Sequence, residues 1–301
     1  MIPCHSQGLR GFDFLAETGE PGRSPCLEAS LPISEPGQRL LSRSVTQRPL
    51  ILVSNDDGFD AVGCVALRLA LSRFADVVTV APRYEQSAKS HAISLHHPLR
   101  HEEHETDVHS VDGTPADCVY VALFRADLLP RRPDLVASGI NHGPNLGSDV
   151  HYSGTVAAAR EGALRGIPSI AFSSMAPRRE FESNAALAAS ICERVLEITM
   201  PTDQVPLLNV NFPEGPVAGV IPTRLGTRIY AEGVEVRDDP RGREYYWIGS
   251  PGAPSHGEVS GSDTDAVDRG YASITPISID TTRASHLGLA QWASTKETTE
   301  S

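Results

Sequence analysis

No apolar stretch of this 301-residue chain approaches the roughly 20 uninterrupted residues a membrane-spanning helix requires; Gly, Pro or a charged side chain breaks every run first. Positive charge is in deficit, with 26 Lys and Arg against 38 Asp and Glu, a formal net charge of −12. A surface of that sign repels phosphate backbone, which argues against a nucleic-acid polymer or a polybasic membrane footprint. The five cysteines, Cys4, Cys26, Cys64, Cys118 and Cys192, are odd in number and contain no C-x-x-C pair. Neither a disulfide framework nor a zinc knuckle is suggested. The N-terminus shows no basic segment leading into a clean apolar stretch and a small-residue cleavage site, so a cytoplasmic protein is expected. A G-x-S-x-G elbow, a Walker A lysine and a G-x-G-x-x-G fingerprint are also missing, which counts against serine esterases, P-loop ATPases and simple NAD dehydrogenases. Hydrophobic residues make up 40% of the chain, enough to bury one large core or two modest ones.

What is present falls into three stretches. Residues 1–48 are rich in Gly, Pro, Ser and Glu without periodicity and read as a disordered or loosely attached extension. Residues 49–213 alternate short apolar runs with helical patterns. Leu50–Ser54, Val77–Val80, Leu135–Ser138, Ile167–Phe172 and Leu207–Phe212 predict strands, and continuous apolar runs of this kind belong to parallel strands covered on both faces. Val62–Phe74, Thr155–Arg165 and Asn184–Ile198 predict helices. Strand, helix and strand in repetition predict an α/β fold, a Rossmann-like doubly wound and mostly parallel sheet with helices on both faces in three layers. Residues 214–301 turn to Gly, Pro and β-formers, and the turn Asp239–Gly242 before Tyr245–Ile248 predicts a β-hairpin arm. Its aromatic residues suit packing on a second subunit.

Ligands of open α/β sheets bind beyond the carboxyl ends of the strands. After the first strand stands Ser54-Asn55-Asp56-Asp57-Gly58. Two adjacent carboxylates at a buried strand end repel each other unless a cation or donors neutralise them, and hard cations prefer such oxygens; capping of the following helix needs only one. Ser87, in the loop after Ala81-Pro82, could lie beside the carboxylates, or could be a turn or cap residue. The strand ending at Ser138 runs into Gly139-Ile140-Asn141-His142-Gly143-Pro144-Asn145, where glycines let backbone approach a ligand. Ser153-Gly154-Thr155 then opens an Ala-rich helix, which suits either a phosphate or an ordinary N-cap. Six of the eleven histidines lie between His91 and His109, yet their spacing is not H-E-x-x-H and their surroundings read as a solvated hairpin or loop.

Ser54–Gly58, the Ala81-Pro82 loop ending in Ser87, Gly113–Cys118, Ser138–Asn145 and Tyr152–Thr155 occur in one order. Together with Tyr246–Gly249 and Ser273–Pro276 they resemble the SurE family of stationary-phase survival proteins with 5'/3'-nucleotidase activity, over about Leu50 to Trp292. The resemblance implies a Rossmann-like core, a hairpin and C-terminal segment exchanged between subunits, and homodimers or homotetramers. It implies one divalent ion per subunit, Mn2+ or Mg2+, on Asp56, Asp57, Ser87 and Asn141, with Asp56, Asp57 and Asn141 catalytic. It also implies phosphate bound by Asn145, Ser153, Gly154 and Thr155, and Asp263 in a loop near the site. The expected reaction is hydrolysis of nucleoside 5'-monophosphates, with 3' esters and short polyphosphate as further substrates, by a water that the metal activates. A nucleotide-sensing module without turnover is the alternative. The sequence departs from the family pattern at Asp60-Ala61-Val62-Gly63, where His then Ala-Pro-Gly is usual, and at Ala88, where Gly is common.

Overall fold

The computed structural model of the chain describes residues 47–177, 180–198, 205–230, 233–249, 255–257 and 259–294. All but the last two positions of the expected 1–48 extension lie outside these residues. In chain order the elements are β1 (Leu50–Ser54), α1 (Val62–Leu71), β2 (Asp76–Pro82), β3 (His101–Glu105), β4 (Val108–Val111), α2 (Pro115–Phe124), β5 (Leu135–His142), α3 (Gly154–Leu164), β6 (Ser169–Ser174), α4 (Phe181–Leu196) and β7 (Leu207–Phe212). They continue through β8 (Val220–Pro222), β9 (Arg228–Ile229), β10 (Val234–Asp238), β11 (Glu244–Ile248), β12 (Ser255–His256), α5 (Asp263–Asp268), β13 (Ala272–Pro276) and α6 (Leu287–Ser294).

Nine strands make one sheet in the order β3-β4-β2-β1-β5-β6-β7-β13-β8. The run from β4 to β7 is parallel, and antiparallel pairs occur at β3–β4 and β7–β13. Side chains of β1 alternate between two cores. Ile51 and Val53 pack with Leu67, Leu71, Ile140, Phe172 and Phe212 beneath α1 and α4, while Leu50 and Leu52 pack with Val78, Val80, Val119, Val136 and Ala158 beneath α2 and α3. The result is the expected three-layer α/β fold. Each fully buried Leu, Ile or Phe adds about 1.5–3 kcal/mol of hydrophobic stabilisation. Strand order along the sheet reverses between β1 and β5, and the crevice at their carboxyl ends is the switch point that places the site. No helix among the described residues is long and apolar enough to cross a membrane.

Several boundaries differ from the sequence expectation. The helix expected over Val62–Phe74 ends at Leu71, where the Ser72 hydroxyl donates back to the Arg68 carbonyl and closes the last turn. The strand expected to stop at Ser138 continues to His142, and α4 begins at Phe181 rather than Asn184. The histidine-rich segment is a hairpin, but only β3 is solvated; β4 is buried, His109 included. Helix α2 has no counterpart among the expected helices. A capping box starts it, Thr114 Oγ1 accepting from Asp117 N at 3.1 Å and the Asp117 carboxylate accepting from Thr114 N at 2.9 Å.

One buried charge ties α3 to the loop between β2 and β3. Glu161 of α3, 2% exposed, contacts His91 Nε2 at 2.9 Å and accepts from Arg165 Nε and Nη2 at 2.8 and 2.7 Å. Burial alone would raise its pKa, but the bonds from His91 and Arg165 outweigh that and hold it below the ordinary Glu value. A depressed carboxylate contributes stability that is present above the unfolded-state pKa and lost as pH falls through the folded-state value. The urea midpoint should therefore fall across that acidic window, and in Glu161→Gln this component of the fall should vanish. An unchanged pH dependence in the variant would refute the assignment.

Candidate active site

The turn after β1 is built by Asn55 and Gly58. The buried Asn55 Nδ2 donates to Gly58 O at 2.7 Å. Gly58 takes φ 111°, a conformation open to glycine at little cost. The turn aims Asp56 inward. The Asp56 carboxylate, 4% exposed, accepts from both the Thr155 hydroxyl and the Thr155 backbone amide. It therefore sits on the N-terminus of α3, not of α1, where exposed amides and the helix dipole favour an anion. Burial nonetheless pushes its pKa up to about 6, with the repulsion of Asp57 adding and the Thr155 donors opposing. Asp57 is less buried and accepts from His142 N at 3.1 Å.

Asn141 lies where β5 leaves the sheet. Its Nδ2 donates to Gly143 O at 2.8 Å, so the carbonyl oxygen is the atom left to face a ligand. Ser87 donates its hydroxyl proton to Glu85 Oε1 at 2.9 Å, which leaves oxygen lone pairs for a cation. Its loop is pinned at both ends, Gln86 N donating to Asp56 O at 2.8 Å and Ser90 N to Tyr152 O at 2.9 Å. Between the pins Ala88 and Ser90 take φ 58° and 54°, the left-handed region that disfavours a Cβ. This explains in physical terms why Gly suits position 88. Ala88→Gly should raise the unfolding free energy by about 0.5–1 kcal/mol, the relieved strain being partly offset by unfolded-state entropy. A lower urea midpoint in that variant would show the loop to be unstrained.

At the start of α3, Ser153 is the N-cap and accepts from Val156 N at 3.1 Å, keeping its O–H to donate outward. Gly154 presses on the carboxylate: a Cβ there would stand 2.8 Å from Asp56 Cβ and 3.0 Å from Pro115 Cγ. Asn145 is held on every side. Its backbone amide donates to Asn211 Oδ1 at 2.7 Å, its Nδ2 to Ser173 Oγ at 2.7 Å, and its carbonyl accepts from Asn209 and Asn211. Asp263 is not in a loop but opens α5, fully buried, accepting from Gly147 N at 2.9 Å and Gly226 N at 2.7 Å. It staples the turn before α3 to the segment before β9.

Asp56, Ser87, Asn141, Asn145 and Ser153 line one cavity of about 990 Å³. Asp57 lines an adjoining cavity of about 240 Å³ together with Glu85, Ser87 and His142. Gly154 and Thr155 line neither and lie behind Asp56. The described residues contain no group of three or more His, Cys, Asp or Glu side chains placed to hold a metal. A cation between the two cavities would rest on two carboxylates, a hydroxyl oxygen and an amide oxygen, an all-oxygen set that fits Mg2+ or Mn2+ better than a zinc-type N/S site. A buried carboxylate lifted to about 6 by desolvation and a like charge is the electrostatic state such a cation would relieve.

Four contributors carry no mark in the sequence reading. Asn209 and Asn211 alternate within buried β7, where an N-x-N pattern in an otherwise apolar strand is the available signal. Asp149 and Arg228 form an ion pair at 3.0 Å on the cavity wall, with no local spacing to announce it.

Residues 51–232 match the protein-family model described as Survival protein SurE. A 5'-nucleotidase SurE of Sorangium cellulosum is 54% identical over 249 residues, 81% of this chain and 95% of that protein. A 5'-nucleotidase SurE of Anaeromyxobacter sp. is 49% identical over 80% of this chain and 95% of its own. Among solved structures, the SurE protein from Aquifex aeolicus aligns with a TM-score of 0.70 and 40% identity, over 81% of this chain and 99% of that one.

Proposed function

The chain belongs to the SurE family, and from that premise we propose that it is a divalent-metal-dependent phosphomonoesterase that hydrolyses nucleoside 5'-monophosphates. The observation that carries the reading is the convergence of Asp56, Ser87, Asn141 and Ser153 on one cavity at the N-terminus of α3. Asp56, Asp57, Ser87 Oγ and Asn141 Oδ1 would hold the ion. Bound there, a divalent cation supplies neutralisation of phosphate oxygens and Lewis acidity toward a water.

The chain's own groups do the rest. The Ser153 hydroxyl donates to a phosphate oxygen, and the first turn of α3 directs its dipole at charge that grows in the transition state. Asn145 has its backbone and one amide hydrogen locked by Ser173, Asn209 and Asn211, so its remaining N–H is presented without reorganisation. Thr155 acts on the phosphate only through Asp56, whose carboxylate it orients. 3' esters and short polyphosphate extend the same chemistry as further substrates.

The hairpin β10–β11 supports a homodimer or homotetramer, because Val234, Val236, Tyr246, Trp247 and Ile248 all stand exposed on it. Light scattering would separate the two sizes, and a monomer would refute both. The activity is tested by phosphate release from nucleoside 5'- and 3'-monophosphates with Mn2+, Mg2+ or EDTA. Turnover abolished by EDTA is expected; nucleotide binding without turnover in any metal would replace the enzyme by a sensing module.

A further inference from the structure

The large cavity has a second end that the phosphate chemistry does not use. About 990 Å³ is the volume of a site for a whole small molecule, not for a phosphate group alone. Its far wall carries Arg228, Ile229 and Tyr230, with Tyr152 and Ile248 beside them. The Arg228 side chain is 8% exposed and faces Asp149 Oδ2 at 3.0 Å, yet the contact is too bent for its Nε–H to count as hydrogen-bonded. The guanidinium carbon lies 5.6 Å from the centroid of the Tyr230 ring. The Tyr230 hydroxyl donates to Asp149 Oδ1 at 2.7 Å, while half of the residue's surface stays exposed.

Asp149 links this wall to the phosphate end. Its side chain fixes Arg228 and Tyr230, and its main-chain carbonyl accepts from Tyr152 N at 2.9 Å and Ser153 N at 3.0 Å, the turn that starts α3. One residue thus sets the distance between a flat aromatic and guanidinium surface and the proposed phosphate donors. Asp149 is neutralised by Arg228, so the wall offers a planar, polarisable face and cationic N–H groups, flanked by apolar Ile229. A planar heteroaromatic ring stacks on such a face, and the sugar's oxygens suit the guanidinium.

We propose that Arg228 and Tyr230 form the subsite for the nucleoside half of the substrate, Tyr230 stacking the base and Arg228 donating to the nucleoside's oxygen or nitrogen acceptors. The assignment rests on the phosphomonoesterase reading above, and the two fail separately. Calorimetry on the full chain with saturating Mn2+ would measure adenosine and inorganic phosphate as separate ligands, in the parent, Arg228→Met, Tyr230→Leu and Tyr230→Phe. The ratio of adenosine to phosphate affinity should fall at least tenfold in Arg228→Met and Tyr230→Leu. In Tyr230→Phe, which keeps the ring, it should stay within about threefold. Retained phosphate binding reports that each variant is folded at the site. With Mn2+, the same variants should lower kcat/KM for AMP at least tenfold more than for p-nitrophenyl phosphate, whose leaving group is too small to span the cavity.

An unchanged affinity ratio in both truncations, or a parent that binds phosphate but not adenosine, would overturn this subsite and leave the phosphomonoesterase intact. Binding of adenosine without phosphate would overturn the phosphomonoesterase reading and keep the subsite. Binding of neither would overturn both.

Discussion

Asp57→Asn should lower phosphate release roughly a thousandfold with Mn2+ present, about 4 kcal/mol of transition-state stabilisation, while the thermal unfolding midpoint stays close to that of the parent. The variant removes one of two negative charges from the proposed cation site and leaves shape almost untouched. Opposite charges about 4 Å apart near a protein surface interact by about 4 kcal/mol, and here the loss falls on cation binding. The fold should hold because an Asn Oδ1 can still accept from His142 N, the bond Asp57 makes at 3.1 Å. Asp57 is also only half-buried, so the amide brings no new desolvation penalty. Excess Mn2+ should recover part of the activity if affinity is what fell. Phosphate release within tenfold of the parent at limiting Mn2+ would remove Asp57 from the site.

How far the site is legible in the sequence follows from where its parts lie along the chain. Strand β7 matches its expected span residue for residue, and β1, β2 and β5 are all anticipated, because a parallel strand buried on both faces must be a short apolar run. Asp56 and Asp57, just past β1, follow by rule, whereas Asn141 falls inside the longer β5 and is marked as a ligand only by the resemblance. Helix α2 escapes because Pro115–Phe124 is apolar nearly all round and shows no amphipathic stripe, although its Thr114 and Asp117 capping pair is visible. Pairings set only by the fold cannot be read at all. Thr155 meets Asp56 across 99 residues, Tyr230 meets Asp149 across 81, and Asp263 reaches Gly147 across 116. No spacing rule within a helix or strand joins such partners. Thr155 is the instructive case: the resemblance marks the residue for phosphate, while the geometry turns both its donors onto Asp56.

That same contact makes Gly154 the position where a single methyl group should do most damage. Helix propensity favours Gly154→Ala by up to about 1 kcal/mol, so on local grounds the variant would be more stable. The packing argues the other way. The added Cβ would meet Asp56 Cβ at 2.8 Å, Asp56 Oδ2 at 2.9 Å and Pro115 Cγ at 3.0 Å. These neighbours are held, Asp56 by the two Thr155 bonds and Pro115 by its place in the first turn of α2. Overpacking a site that cannot relax costs about 1–3 kcal/mol, which cancels or exceeds the propensity gain, so the unfolding free energy should fall by about 0–2 kcal/mol. The catalytic effect should be far larger. Displacing a reacting group by about 1 Å costs on the order of a hundredfold, and the atoms displaced here are those of the carboxylate proposed to hold the ion. Ser153→Ala separates cap from clash: it should lose about 1 kcal/mol of stability with the cap but leave Mn2+ affinity in place, whereas Gly154→Ala should weaken Mn2+ binding. If Gly154→Ala kept full phosphate release and Mn2+ affinity, the position of Asp56 at the head of α3 would not be what organises this site.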